Sequence, residues 1–145
     1  MHVHVAKLTA EDREVWETLA RSYKAFYRTS LPDAAYATAW ERLRGGDDLF
    51  AFGAKVDGQL VGIAHYLFHT TVWAPTICYL QDLFVDPAAR GRGVARALIE
   101  SVADSARAGG AQRLYWTTQE HNATARALYD KIARFNGFIR YELAL

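Results

Sequence analysis

The chain has 145 residues, which is enough for one domain with a single hydrophobic core and too few for two. Lys and Arg number 17 against 16 Asp and Glu, so the net charge of +1 gives no general attraction to nucleic acid or to an anionic membrane. The only cysteine, Cys78, excludes an internal disulfide and a zinc site made of several cysteines.

The sequence carries no sign of a membrane or export segment. No apolar run approaches the roughly 20 residues of a transmembrane helix, and the start, MHVHVAKL, lacks the basic flank and long apolar core of a signal peptide. No repeat or Pro/Gly/Ser-rich linker divides the chain. We therefore expect one cytoplasmic domain over residues 1–145, with no membrane or nucleic-acid partner.

The first part of the chain contains a strand and two helices. Alternation over residues 2–8 predicts a strand. Thr9 followed by Asp12 resembles a short capping box, which opens the first helix. The second helix begins after Pro32 and ends at the pair Gly45-Gly46.

Three strands follow, and the first two form a hairpin. Residues 50–56 and 60–68 are joined by Asp57-Gly58, a dipeptide typical of tight hairpin turns. Residues 77–85 form the next strand, which Asp86-Pro87 closes.

The last part of the chain alternates between helix and strand. Apolar residues at helical spacing over residues 94–105 predict a helix that Gly109-Gly110 ends. A run of β-formers at 113–118, a helix capped by Asn122 and a final strand at 138–145 complete the order. The pattern predicts an α/β (α+β) fold in which helices cover one mixed sheet.

The turn after the strand at 77–85 has the composition of an anion site. It carries Arg90, Gly91, Arg92 and Gly93 directly before a helix. Backbone N–H groups at a helix start carry partial positive charge, glycines let a phosphate approach them, and arginines add charged donors. The turn therefore predicts a bound diphosphate. The alternative is a tight turn whose arginines are simply solvated.

Two common nucleotide-binding motifs do not fit this turn. A Rossmann fingerprint requires a third glycine where this chain has Arg96, and an acidic residue about 20 positions further on. A P-loop requires Gly-Lys-Ser/Thr, which the turn lacks.

The spacing Arg90-x-x-Gly93-x-Ala95 resembles the coenzyme A pyrophosphate motif of the GNAT N-acetyltransferases. YLQDLFVDPAARGRG looks like the family's fourth strand and its exit, and HNATARALYDKIARFNGF resembles its Asn-x-x-Ala-x-x-Leu-Tyr helix, with Asn122 and Tyr129 in register. The resemblance is greatest to the small histone and polyamine (Hpa-type) branch. It implies a single domain with a sheet of six to seven strands, about four helices, and acetyl-CoA as co-substrate without a metal.

In this family the fourth and fifth strands splay apart, and the pantetheine arm of coenzyme A fills the gap. The resemblance implies that a bulge in the fourth strand exposes a backbone N–H near Leu83 or Phe84 to the thioester oxygen. Asn122 is expected to touch the pantetheine, to cap its helix, or to do both. The residues implied for coenzyme A are Leu83, Phe84, Val85, Arg90, Gly91, Arg92, Gly93, Val94, Ala95 and Asn122.

Tyr129 matches the family's tyrosine that protonates the departing thiolate. A phenol held within hydrogen-bond reach can act as this general acid. The alternative is a core tyrosine, because Tyr129 lies in the apolar stripe of its helix. Both are open at this stage.

The general base is less clear from the sequence. Polyamine acetyltransferases of this type carry Glu-Asp in the fourth strand, whereas this chain has Gln81-Asp82, and Gln81 cannot accept a proton. Adjacent strand residues face opposite sides, so Asp82 replaces residue 81 only if the strand is bulged. The candidates are Asp82 through a water, Glu120 at the end of the fifth strand, or a chain of waters. Asp82 is alternatively a structural carboxylate.

The acceptor is expected to enter between the first helices and the sheet. Aromatic side chains there can hold an ammonium by cation–π contact, and the candidates are Tyr23, Phe26 and Tyr27, with Gln81 beside them. Tyr36 and Trp40 belong to the same aromatic group but are expected in the core.

The function predicted is transfer of acetyl from acetyl-CoA to a primary amine by direct attack in a ternary complex. The acceptor is a polyamine, an amino acid, another small amine or a protein lysine. The alternative is a non-catalytic acyl-CoA sensor or structural module. The resemblance also implies a homodimer, in which the strand at 138–145 pairs or exchanges across the interface.

The histidines and the cysteine are expected to have structural roles. The five histidines, His65 among them, are expected on the surface or in the core, because no carboxylate or cysteine cluster completes a metal site around them. Cys78 is expected to be a packed small hydrophobe.

Overall fold

The computed structural model describes residues 2–145, and its sheet has five strands. They are β1 (Val3–Lys7), β2 (Phe50–Val56), β3 (Gln59–His69), β4 (Ile77–Val85) and β5 (Leu114–Tyr115). They lie in the order β1-β2-β3-β4-β5, antiparallel from β1 to β4, with β5 parallel to β4. The helices are α1 (Arg13–Phe26), α2 (Asp33–Gly45), α3 (Val94–Ala108) and α4 (Ala123–Ile132). The predicted mixed sheet and four helices are confirmed, but the sheet is smaller than the predicted six to seven strands.

The β2–β3 hairpin forms where the sequence predicts it. Asp57 and Gly58 both have positive φ, at 51° and 79°. This backbone conformation matches the right-handed twist of the flanking strands, and Asp and Gly adopt it at low cost.

Helices cover the sheet on both faces. Helix α3 packs Leu98 and Val102 onto one face. Helix α1 packs Trp16 onto the other, where α2 adds Tyr36 and Trp40. Tyr36 and Trp40 are only 4% and 5% exposed, which confirms their expected place in the core.

Both strands predicted near the C-terminus need correction. The run at 113–118 is a strand only at Leu114–Tyr115, after which the chain leaves β4. The strand predicted at 138–145 is wrong, because these residues are irregular and exposed. Alternating apolar residues gave a strand pattern, but a strand forms only beside a partner edge, and no described part of the chain lies along this segment.

The entry to α1 follows the predicted capping box. The Asp12 carboxylate accepts a hydrogen bond from the Thr9 backbone N–H at 2.8 Å and forms a 3.1 Å ion pair with Lys55 of β2. Asp12 is buried, and these partners satisfy its charge. The contact fixes α1 against the sheet, which matters because α1 carries Tyr23 and Phe26, two of the residues predicted to bind the acceptor.

Two further expectations concern single features of the fold. Cys78 is fully buried, and burial raises the pKa of its thiol to about 11, so it is a protonated packing residue. Over residues 2–145, no helix has the length and apolar character needed to cross a bilayer.

Candidate active site

A β-bulge at Gln81 decides which way the functional end of β4 faces. His65 of β3 pairs with Asp82, and the next residue, Tyr66, pairs with Leu80, so Gln81 is the extra residue on β4. Before the bulge, Leu80 packs towards α3; after it, Phe84 packs towards α1, and Asp82 lies on the same side as Phe84. The bulge that Asp82 requires is present at Gln81, two to three residues before Leu83 and Phe84, near which an exposed backbone N–H is expected.

The gap between β4 and β5 is open. Parallel pairing is confined to Cys78 with Leu114 and Tyr79 with Tyr115. From residue 80 to residue 85, β4 has no strand on this side within the described chain. The backbone N–H and C=O groups along this edge are therefore available to an extended ligand, which confirms the predicted splay.

The β4 residues predicted to contact coenzyme A have their side chains packed in the protein core. Phe84 and Val85 are 5% and 8% exposed and pack into the two cores, and Leu83 is partly buried against the α3 side. The backbone groups of Leu83 and Val85 point away from β3 towards the gap, whereas those of Phe84 pair with Ile63 of β3. The resemblance implies that pantetheine pairs with this backbone.

A hydrogen-bonded chain joins α1 to the bulge. The Trp16 indole Nε1 lies 3.0 Å from His65 Nε2, and His65 Nδ1 lies 2.9 Å from Asp82 Oδ2. The His65 and Asp82 side chains are 15% and 20% exposed. Asp82 is thus tethered on its inner side while part of its carboxylate reaches solvent.

Asp82 is an anion at neutral pH. Burial alone would raise the pKa of its carboxyl, but the hydrogen bond from His65, the charge of the His65 ring where it is protonated, the positive charge of Lys24 and the hydrogen bond from Tyr23 outweigh burial and lower the pKa. Burial and the negative charge of Asp82 raise the pKa values of Tyr23 and Tyr27, which therefore keep their protons. The site is a carboxylate bordered by phenols.

The predicted aromatic wall is present. The Tyr27 ring packs edge-on against both Tyr23 and Phe26, with centroids 5.1 and 5.0 Å apart. Tyr23 also packs against Phe84. Phe26 is half exposed, so the wall extends from Asp82 to the surface.

Tyr129 lies on α4 near this wall. Its ring packs edge-on against Trp116 at 5.4 Å, and burial, with a smaller effect from Tyr27, raises its pKa to about 12. Tyr129 is therefore a protonated phenol at every physiological pH. Tyr27 is close enough to affect the pKa of Tyr129, and Asp82 is close enough to affect that of Tyr27.

Asn122 caps α4 as predicted. Its side-chain oxygen accepts from the Ala125 backbone N–H at 3.4 Å, and its Nδ2 donates to the Thr118 hydroxyl at 3.3 Å. The cap fixes the start of the helix that carries Tyr129.

The predicted phosphate turn has an open, glycine-dependent backbone. Gly91 and Gly93 both have φ of 79°, and a Cβ on either would meet no atom within 4 Å. Gly93 is the N-cap of α3 and has no side chain to cap the helix. The first N–H groups of α3, from Val94 and Ala95 onwards, thus start without a side-chain partner at the N-cap.

The two arginines of the turn are not equivalent. Arg90 Nε donates to the Val85 carbonyl at 3.2 Å, and its guanidinium lies over the rings of Phe84 and Phe26 at 5.8 and 5.9 Å. Arg90 therefore fixes the turn to the end of β4. Arg92 is exposed at the tip of the turn.

Two further predicted residues are exposed. Gln81 is exposed at the bulge, and Glu120 is exposed in the turn before α4. Glu120 does not end β5 as predicted, because β5 stops at Tyr115. Within residues 2–145, no hydrogen bond or ion pair joins the Glu120 carboxylate to Asp82 or to Tyr129.

The sequence analysis missed Trp16 and His65 as parts of the site. His65 was expected on the surface or in the core, yet it bonds to Asp82 across the strands. The pairing of β3 with β4 places His65 opposite Asp82, and this pairing can be derived from the sequence only if the bulge at Gln81 is known. Among residues 2–145, no three His, Cys, Asp or Glu side chains are grouped so as to hold a metal ion.

Comparison with known families gives one match over most of the chain. Residues 14–135 match the model described as Acetyltransferase (GNAT) family. A D-amino-acid N-acetyltransferase of Saccharomyces cerevisiae is 34% identical over 134 residues, which are 89% of this chain and 83% of the relative.

Solved structures agree in fold. A ribosomal-protein-alanine N-acetyltransferase from Brucella melitensis biovar Abortus 2308 is 28% identical, with a TM-score of 0.83 over all of both chains. The acetyltransferase AAC(6')-Iy, solved with a bisubstrate analogue containing CoA, has a TM-score of 0.88 at 21% identity and covers all of this chain and 99% of its own.

Gly93→Ala tests the turn. The methyl group has room within the protein but forces a left-handed residue to carry a Cβ, which costs about 1–2 kcal/mol and shifts the first N–H groups of α3. We expect the Kd for acetyl-CoA, measured by calorimetry, to rise about tenfold or more.

Gly110→Ala is the matched control, because Gly110 has the same φ of 79° and the same open surroundings at the other end of α3. It should lose similar stability and keep the wild-type Kd. Equal Kd values for both variants would contradict an anion site at residues 90–95.

Proposed function

Because this chain belongs to the acetyltransferase (GNAT) family and is an acetyl-CoA-dependent N-acetyltransferase, we propose that its acceptor is a small primary amine held by Asp82. The observation that carries the proposal is an ionised carboxylate bordered by Tyr23 and Tyr27, next to the open edge of β4. A carboxylate with aromatic neighbours attracts an ammonium by charge and by cation–π contact.

The donor would occupy the turn and the gap. We place the pyrophosphate of acetyl-CoA against the first N–H groups of α3, where the partial positive charge of the helix end favours anions. The pantetheine would run along the backbone of residues 83–85, with Asn122 near its amides. A backbone N–H near the bulge would face the thioester oxygen and stabilise its negative charge during attack.

Asp82 is better suited to holding the amine than to taking its proton. Moving a proton from an ammonium with the ordinary lysine pKa of about 10.4 to a carboxyl of about 3.9 costs about 9 kcal/mol, and the lowered pKa of Asp82 increases that cost. We therefore propose that the proton leaves through water, with Asp82 orienting the amine and stabilising positive charge on its nitrogen. The exposed Glu120 is not needed for this step.

Tyr129 would act on the leaving group. As the neutral amine attacks the thioester carbon in a ternary complex, the N–C bond forms, the C–S bond breaks and its electron pair goes to sulfur. Tyr129, which is protonated before the attack, gives its proton to that sulfur. The proton that the nitrogen loses returns through water to the phenolate of Tyr129, so the products are the acetamide and coenzyme A with its thiol protonated.

Among small amines, we propose an amino acid. Lys24 lies near enough to Asp82 to lower its pKa, and its ammonium lies 5.8 Å from the centre of the Tyr23 ring. An amino acid offers an ammonium to Asp82 and a carboxylate to Lys24, whereas a polyamine would meet the like charge of Lys24. The yeast relative is named for D-amino acids, which supports the same class.

We also propose that the protein is a homodimer. The segment 138–145 leaves Phe138, Ile139, Tyr141 and Leu143 between 73% and 87% exposed. Exposed apolar side chains at this density mark an interface in soluble proteins. Light scattering should give a dimer mass, and deleting residues 138–145 should give a monomer. A monomeric mass for the full chain would contradict the proposal.

Tyr129→Phe tests the general acid. We expect kcat at saturating acetyl-CoA to fall by about 100-fold or more, since acid catalysis contributes roughly 10²–10⁴-fold. The Kd for acetyl-CoA should stay unchanged, because the ring still packs against Trp116. Tyr36→Phe, which removes a hydroxyl from the core far from α4, is the control. A kcat within about threefold of wild type would exclude the role.

An amine panel with detection of released thiol tests the acceptor. The panel pairs D- and L-amino acids with their amides, and adds a polyamine, an aminoglycoside and a lysine peptide. We expect amino acids to give higher kcat/KM than their amides. Lys24→Gln should raise the KM of an amino acid about tenfold while leaving that of its amide near the wild-type value.

The control for Lys24 is Lys7→Gln, a similar loss of charge on the exposed end of β1. Equal use of an amino acid and its amide would contradict the amino-acid assignment. Turnover of the lysine peptide alone would contradict a small acceptor.

A further inference from the structure

The two hydrogen bonds that link Trp16, His65 and Asp82 have donors and acceptors that the chemistry of the side chains determines. Trp16 is 1% exposed, and its Nε1 approaches His65 Nε2 to 3.0 Å. An indole N–H can only donate a hydrogen bond. His65 Nε2 must therefore be the acceptor, which means that it carries no proton.

The other ring nitrogen follows from this. With Nε2 unprotonated, the neutral imidazole of His65 holds its proton on Nδ1, which donates to Asp82 Oδ2 at 2.9 Å. The opposite tautomer would set two N–H groups against each other at Trp16 and two lone pairs against each other at Asp82. A doubly protonated ring would keep the contact to Asp82 but still oppose the Trp16 N–H.

We propose that Trp16 and His65 are positioning residues for the acceptor amine: Trp16 holds His65 as the neutral Nδ1–H tautomer, and His65 in turn orients Asp82 without neutralising its charge. The inference rests on the proposed function of Asp82 in binding the amine. It assigns a role in specificity to a tryptophan that otherwise looks like a core residue.

The consequence concerns the charge that the amine meets. A protonated His65 would cancel the charge of Asp82, and a cationic amine would meet a neutral pair. Locked as the neutral tautomer, His65 orients the carboxylate without cancelling it. The other titratable or charged groups around Asp82 are Tyr23 and Lys24 of α1 and Tyr27 at the C-cap of that helix, with Tyr79 of β4 acting on Tyr23.

The first experiment reads the tautomer directly, without any substrate. In NMR spectra of the protein with isotope-labelled histidine at neutral pH, His65 should show the Nδ1–H pattern. In Trp16→Phe, which removes the donor and keeps an aromatic ring, the same ring should no longer show that pattern alone. A wild-type His65 that is protonated or in the Nε2–H form would overturn the inference.

The second experiment follows the amine. In Trp16→Phe the acceptor KM should rise about tenfold at neutral pH, because His65 no longer holds Asp82 in one orientation. The kcat at saturating amine and the Kd for acetyl-CoA should stay near the wild-type values. Trp40→Phe is the matched control, because Trp40 packs 5.1 Å from Trp16 in the same core and also loses indole volume. An acceptor KM in Trp16→Phe equal to that in Trp40→Phe would overturn the inference even if acetyl transfer is confirmed.

Substitutions of His65 keep the test usable if Trp16→Phe does not fold. His65→Gln carries one acceptor for Trp16 and one donor for Asp82 and cannot be protonated, so its acceptor KM should stay within about threefold of wild type. His65→Phe offers neither and should raise KM about tenfold or more. Equal KM values for the two variants would contradict the positioning role, whereas failure of every amine in the panel would contradict only the proposed function.

Discussion

The extra residue at Gln81 is the constraint on which the rest of the site depends. Because side chains alternate along a strand, one added residue reverses every side chain beyond it. Leu80 packs towards α3, and after the bulge Phe84 packs towards α1. An unbulged strand would turn Asp82 towards the apolar α3 core, where a carboxylate would have no partner. The bulge instead sets Asp82 opposite His65 and in reach of α1.

The same strand separates the two halves of the reaction. One edge of β4 stays paired with β3, which holds His65 against Asp82, while the other edge loses β5 after Tyr79 and opens a gap. Arg90 ties the glycine turn back to the Val85 carbonyl at the end of this strand. In the proposed arrangement, this one strand would set the spacing between the phosphate at the glycine turn, the thioester and the carboxylate that holds the amine.

The parts that sequence predicts well are those with a local cause. Asp57-Gly58 requires positive φ and gives a hairpin, and Gly93 before an amphipathic helix gives an open helix start. The parts that sequence predicts poorly depend on long-range partners. Residues 138–145 have the alternating pattern of a strand but lie along no described strand edge. His65 contacts Asp82 only because the bulge at Gln81 shifts the register between β3 and β4. A bulge has no sequence signature here beyond the polar residue that it exposes.

The site is polarised from one end to the other. Hydrogen bonds and Lys24 lower the pKa of Asp82 on the amine side, while burial raises the pKa of Tyr129 to about 12 on the sulfur side. Two titratable groups whose pKa values are pushed apart keep fixed and opposite roles at neutral pH. In the proposed mechanism, the carboxylate would favour positive charge on the attacking nitrogen, and the phenol would favour negative charge on the leaving sulfur. Since neither group would have to change protonation before the attack, the charge separation of the transition state would meet an environment already arranged for it.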